Sequence, residues 1–217
     1  MISHCASAAL RGVEAVLVRV EVDLAPGLPY FHIVGLAGHA ARESCERVKS
    51  ALDNAGYDVL GTRRATATLA PFEIPKESTG HDLPLALAVL EAAGVIPRGA
   101  TKGGIYAGEL APSGALRPIQ GAMPIAELAR ARGMGAVLPS WNSDEVSLFG
   151  DDVRIADSLA EVVACLRGER ELPAPTPRGA LVTDTPAPLD VLDIKGQERA
   201  KHALAIPADR GRPRSHR

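Results

Sequence analysis

The chain is most readily bounded by what it lacks. Aromatic residues are scarce at 3% of 217 residues, so a core must be filled by small aliphatic side chains, chiefly Ala and Val. The three cysteines, Cys5, Cys45 and Cys165, are odd in number and far apart. No C-x-x-C pair or Cys/His cluster occurs, which argues against a disulfide framework and a zinc site and favours reduced thiols. The six histidines, His4, His32, His39, His81, His202 and His216, show no ligand spacing, so no metal site is expected. Charge of neither sign dominates: the formal net charge is −2, which argues against a domain-wide nucleic-acid footprint but leaves room for a local patch. No apolar run approaches membrane-spanning length, and Met1-Ile-Ser-His4 lacks the pattern of a signal peptide, so no membrane partner and a cytoplasmic location are expected. No Gly-Lys pair occurs, so the sequence contains no G-x-x-x-x-G-K-[ST] loop to cradle nucleotide phosphates.

What is present alternates between strand and helix patterns. Residues 6–24 read as strands, with Val16, Val18, Val20 and Val22 alternating with Leu17, Arg19, Glu21 and Asp23. Pro26-Gly27 marks a turn, and Tyr30–Val34 resumes a strand. A helix is expected over residues 39–55, with Ala41, Cys45, Val48, Leu52 and Ala55 on its apolar face and Gly56 as its stop. Residues 64–70 form another alternating strand. Lys76, Glu77, Ser78 and Thr79 lie in a polar loop. Asp82 then reads as the N-cap of a helix with Pro84 in its first turn, and that helix is apolar nearly all round, as a central buried helix would be.

Further on, residues 105–110 read as one short strand leading to a turn near Pro112-Ser-Gly114. A helix starts at Pro124 and stops at Gly133, with Met123 as a core filler before it. Short strands fall at 136–139 and 153–156, and Ser158 caps a last helix with Leu159, Val162, Val163 and Leu166 inward. Residues 1–168 therefore form a two-layer α/β, or α+β, domain. Residues 169–188 are proline-rich and read as a linker, and 189–217 as the start of a second module.

The chain resembles the ComM/YifB-like group of magnesium-chelatase-type AAA+ proteins. The resemblance is carried by Ser7-Ala-Ala-Leu10, Glu21-Val-Asp23, Gly27-Leu-Pro29, Ile33-Val-Gly-Leu36, Arg42-Glu-Ser44 and Leu69-Ala-Pro71. It continues collinearly through Asp82-Leu-Pro84, Gly108-Glu-Leu110, Leu116-Arg-Pro118, Leu138-Pro139 and Gly196-Gln197. Ala37-Gly38-His39 and Pro112-Ser113 depart from the family's usual residues. The resemblance implies a first domain with the fold of Lon proteolytic domains, then a linker, then an ATPase module. It implies ATP and Mg2+ as cofactors of full-length relatives, assembly into hexameric rings, and DNA branch migration in natural transformation. No cofactor is expected for this chain alone, because Ile194, Gly196 and Gln197 would supply only the adenine side of a nucleotide site. The sequence after Leu204 is unlike the family and reads as a truncation before the ATPase core, ending in a tail with Arg210, Arg212, Arg214 and Arg217.

Two alternatives stand beside that reading. A Lon-type peptidase needs a Ser nucleophile and a Lys close to it. The resemblance places Asp82 at the Ser position and Met123 at the Lys position, a pair that cannot run such a dyad, and Ser78 with Lys76 is a loop pairing without dyad geometry. Asp82 as a catalytic acid would need Glu77 or Glu109 as partner. A stand-alone DNA-binding module would use the basic tail, or the clusters Arg63-Arg64 and Arg130 with Arg132. The favoured expectation is a non-catalytic domain.

Overall fold

The computed structural model describes residues 1–72 and 79–177, which fall within one unit, Met1–Arg178. The part of the expected linker beyond Pro177, the adenine-side residues Ile194, Gly196 and Gln197, and the arginine-rich tail lie outside the described residues.

Seven strands form one mixed sheet. The alternating first stretch is a long antiparallel hairpin, β1 (Ile2–Arg11) and β2 (Glu14–Pro26), turned at Gly12 in a left-handed conformation. β3 (Tyr30–Val34) pairs parallel with β4 (Arg63–Ala70), which runs antiparallel to β2. β5 (Gly104–Tyr106), β8 (Gly135–Pro139) and β9 (Val153–Ala156) add parallel to the other side of β1, giving the order β3-β4-β2-β1-β5-β8-β9. A separate two-stranded ribbon joins β6 (Glu109–Leu110) to β7 (Leu116–Arg117).

The single strand expected over 105–110 is thus two. The chain leaves the sheet after Tyr106 because Gly108 is tied to the start of the central helix: its N–H donates to the Gly80 carbonyl, and its own carbonyl accepts the Leu83 N–H. A Cβ at Gly108 would stand 2.8 Å from Leu116 Cδ2, so the crossing needs glycine.

On one face of the sheet lie α1 (Gly38–Asn54), α2 (Asp82–Ala93) and α5 (Leu159–Leu166). Their core partners are Val18, Val20, Val22, Leu24, Ala65, Ala67 and Leu69. Alternation in β2 and β4 sends these side chains inward and leaves Arg19, Glu21, Asp23 and Arg64 outward. Leu83, Leu85, Leu87 and Leu90 of α2 are fully buried, and truncating any one to Ala would cost about 2–5 kcal/mol. The inward face of α1 is Ala41, Ser44, Val48, Ala51 and Leu52: Ala41, Val48 and Leu52 are buried as expected, whereas Cys45 and Ala55 are half-buried at its margin.

The two-layer expectation describes the β3-β4 end of the sheet, since α3 reaches the start of β2 at Ala15 and Leu17. Over the parallel half, α3 (Ala122–Ala131) covers the opposite face, packing Ala122, Ile125, Ala126 and Ala129 on Ala8, Ile105, Ala136 and Leu138. β5 and β8 are short apolar strands buried on both faces, as parallel strands generally are. Met123 in the first turn of α3 is 47% exposed, so it is not the expected core filler. Residues 140–152, for which the sequence suggested no element, form short helical turns including α4 (Ser143–Val146). Asn142 fixes them by both accepting the Ile119 N–H and donating to the Ile119 carbonyl.

Order continues past the expected boundary near Gly168. Pro173 covers the outer edge of β9 by accepting the Ile155 N–H, Leu172 is buried, and Ser143 and Thr176 exchange hydrogen bonds. Ser158 caps α5 as expected, accepting the Glu161 N–H.

Gly35 offers a direct check on the β3–β4 crossing. Its φ is +98° and a Cβ there would stand 2.5 Å from the Leu69 carbonyl oxygen. Gly35→Ala is expected to lower unfolding free energy by about 2–4 kcal/mol in urea melts; a change within about 0.5 kcal/mol would mean the crossing relaxes freely.

Candidate functional site

The beginning of α2 is where polar chemistry collects. A 3-10 turn, Thr79–His81, leads into the helix, so the cap position falls on His81 and not on Asp82. The Leu83 N–H is satisfied by the Gly108 carbonyl instead of a side-chain cap. This frees the Asp82 carboxylate to turn sideways toward α1 and β6, and corrects the expectation that Asp82 serves as an N-cap.

Asp82 is 1% exposed and its oxygens are fully engaged. Arg47 of α1 grips both: Nε donates to Oδ2 at 2.6 Å and the guanidinium donates to Oδ1 at 3.2 Å. The Ser44 hydroxyl donates to Oδ1 at 2.6 Å, and the Leu110 N–H donates to Oδ2 at 3.3 Å. Ser44 and Arg47 sit three residues apart on α1, a spacing that puts both on one helical face. The Asp82 carboxyl is held above the ordinary carboxylate value: burial favours the neutral form and outweighs the opposing effect of Arg47, Ser44 and the Leu110 N–H. The hydrogen bond to Asp82 does the reverse for Arg47, raising its value against the cost of burial, with the Glu109 and Glu43 charges adding to the effect.

The neighbouring residue is anchored on the opposite side. The Ser7 hydroxyl of β1 lies 2.9 Å from His81 Nδ1, with both side chains buried. Consecutive residues His81 and Asp82 therefore tie the head of α2 to β1 and to α1. Sequence reasoning did not single out this Ser–His pair, since nothing in Ser7-Ala-Ala-Leu10 signals a partner 74 residues away. It also missed Ser44 and Arg47, for which the i, i+3 polar spacing on an otherwise apolar α1 face was the available signal.

The remaining candidates are scattered. Glu109, considered as a partner for Asp82, pairs with Arg117 at 3.4 Å, its register partner across the β6–β7 ribbon. Lys76, Glu77 and Ser78 lie outside the described residues. Met123, at the position aligned with a catalytic Lys, carries an exposed thioether, and its N–H donates to Glu145. His32 is exposed on β3 and stacks on Tyr30. Arg64 is exposed at the start of β4, and Arg130 of α3 lies over the Phe149 ring. Among the described residues no group of His, Cys, Asp or Glu could hold a metal ion, and no helix is long and apolar enough to cross a membrane.

Comparison with known proteins places this arrangement. The family described as subunit ChlI of Mg-chelatase matches residues 20–142, which run from within β2 to just past β8 and include Arg47 and Asp82. The chain belongs to the ComM/YifB-like, magnesium-chelatase-type family. It is 36% identical to the competence protein ComM of Haemophilus influenzae over 206 residues, covering 93% of this chain and 40% of that protein. It is 37% identical to the uncharacterized protein YifB of Escherichia coli, covering 92% of this chain and 39% of that one. The uncharacterized protein Mb2921c of Mycobacterium bovis is 35% identical, covering 93% and 40%. The chain thus spans about 40% of the length of the ComM/YifB-like relatives it matches.

The buried pair has thermodynamic consequences. Arg47→Met leaves the Asp82 charge buried without its cation and should cost about 3–5 kcal/mol at neutral pH, whereas Arg47→Met with Asp82→Leu should recover most of that loss. Because the folded-state value of Asp82 is raised, its contribution to stability is fully present below the unfolded carboxylate value. It is lost as pH rises through the folded one. Urea melts should therefore show the Arg47→Met penalty shrinking as pH is lowered toward the carboxylate range. A single variant no less stable than the double would contradict the pairing.

Proposed function

We propose that this chain is a non-catalytic domain of a ComM-like AAA+ protein, with the Lon-type fold used as a scaffold for assembly or substrate contact. The observation that supports this best is the state of Asp82. At the position the resemblance aligns with a peptidase nucleophile stands a buried carboxylate whose oxygens are taken by Arg47, Ser44 and the Leu110 N–H. At the aligned Lys position stands Met123, an exposed thioether with no proton to accept or give. Neither residue supplies a nucleophile or a base, and the side chains around Asp82 position helices.

In this reading ATP binding with Mg2+, ring formation and DNA branch migration belong to the remainder of the full-length relatives. The printed name of the Haemophilus influenzae relative, competence protein, fits that assignment. No chemistry of ATP or Mg2+ is assigned to residues of this chain, because the segment with Ile194, Gly196 and Gln197 lies outside the described residues. A cytoplasmic location follows from the same assignment.

The purified chain is expected to release no phosphate from ATP and to leave casein and short peptides intact. Peptide cleavage that disappears on Ser78→Ala would establish a peptidase and overturn the scaffold reading, and so would sustained ATP turnover by clean protein. Sedimentation over a range of concentrations separates the two scaffold roles. A concentration-dependent increase in mass supports assembly, and a monomer throughout leaves substrate contact.

A further inference from the structure

The turn between α2 and β5, Pro97-Arg-Gly-Ala-Thr-Lys-Gly-Gly104, is built with care for a surface loop. Buried Glu91, near the end of α2, holds it: one carboxylate oxygen accepts the Gly99 N–H at 2.9 Å and the other accepts the Thr101 hydroxyl at 3.0 Å. The same Thr101 hydroxyl lies 2.9 Å from the His4 carbonyl, which ties the turn to β1. Lys102 folds back over Gly99. Gly99 has a φ of +79°, the left-handed conformation that favours glycine, and a Cβ there would be in ordinary contact with the Lys102 stem at 3.4 Å.

Two adjoining concavities open around this turn and share His4 and Lys102. The larger, about 550 Å³, adds Arg98 and the Gly99 backbone. The smaller, about 190 Å³, adds Arg19 from the outward face of β2. Among the described residues, no carboxylate lies within ion-pair distance of Arg19, Arg98 or Lys102. Glu91 also lines the larger concavity; its oxygens accept from the Gly99 N–H and the Thr101 hydroxyl, and the three cations Arg19, Arg98 and Lys102 outnumber it. His4 pairs with its register partner Glu21 at 3.4 Å, and Glu21 lies on the same outward face of β2 as Arg19, two residues away.

We propose that these two adjoining concavities, joined at His4 and Lys102, bind phosphate groups. Cations gathered in one recess repel one another and raise the local potential, which a polyanion relieves. Arg offers a planar fork and Lys a mobile point charge, and the two together suit phosphate oxygens. Stabilisation of the α2 C-terminal dipole would account for cations in the turn after the helix, but it gives no role to Arg19, which arrives from β2. The proposal is independent of the scaffold reading above, since it concerns neither Asp82 nor the ATPase module.

Calorimetric titration of the full chain tests it, with Arg210, Arg212, Arg214 and Arg217 changed to Ser so that the tail does not contribute. The probes are inorganic pyrophosphate and a short single-stranded DNA oligonucleotide. Arg98→Ser with Lys102→Ser should weaken binding by at least about tenfold and flatten its salt dependence. Arg63→Ser with Arg64→Ser should leave binding unchanged. Binding of pyrophosphate alone identifies a small phosphorylated ligand, and binding of the oligonucleotide with the same variant sensitivity identifies a nucleic-acid backbone. Absence of binding to both probes, or binding that survives the Arg98/Lys102 change, overturns the proposal. Thermal melts verify folding, and Arg98→Lys with Lys102→Arg, which keeps the charge, should retain binding.

Discussion

One buried carboxylate sets the relation between the two long helices and the β6–β7 ribbon. Asp82 projects from the first residue of α2, yet its bonds all run to other elements: Ser44 and Arg47 on α1, and the backbone of Leu110 on β6. Burial of a charge is tolerated only where its lone pairs are met, and here they are met by a bidentate guanidinium, a hydroxyl and an amide. The geometry fixes the rotation of α1, because Ser44 and Arg47 must face inward. That is why the buried face is Ala41, Ser44, Val48, Ala51 and Leu52, with Cys45 and Ala55 at its margin. Cys45 is left half-buried against β3, where burial and the Glu46 and Asp82 charges push its thiol up to about 11. A thiol held neutral in this way is a packing group rather than a nucleophile.

The chemistry of the site follows from the same constraint. Each Asp82 oxygen is already engaged by donors from α1 and β6, so the carboxylate holds helices together. The Ser7–His81 pair reinforces this, since it is sealed between β1 and the head of α2. Polar residues at the start of α2 therefore specify packing.

Much of the fold was legible in the sequence because its signals are local. Strict alternation marked β2 and β4, and the bounds of β3 and β9 coincide with short branched and aromatic runs. Ser158 announced α5, and the all-round apolarity of Leu83 to Leu90 placed α2 at the centre. What was not legible depends on contacts distant in sequence. Asp82 has the composition and position of an N-cap, and only the approach of Gly108 and Arg47 shows that its carboxylate is used elsewhere. Met123 looks apolar in a linear reading, but α3 buries Ala122 and Ile125, which turns the thioether outward. The splitting of residues 105–110 rests on a glycine contact with the start of α2, and the ordering of residues 172–176 on the open edge of β9, neither of which a local pattern reveals.

The central claim is that Asp82 is a buried structural ion-pair partner in which burial outweighs the hydrogen bonds it receives. Its carboxyl titration, followed by 13C NMR in the intact chain and in an Arg47→Met variant, tests this most directly. The account predicts a midpoint above the ordinary aspartate value in the intact chain and a further rise when Arg47 is removed. A midpoint below the ordinary value, or one indifferent to Arg47, would contradict it.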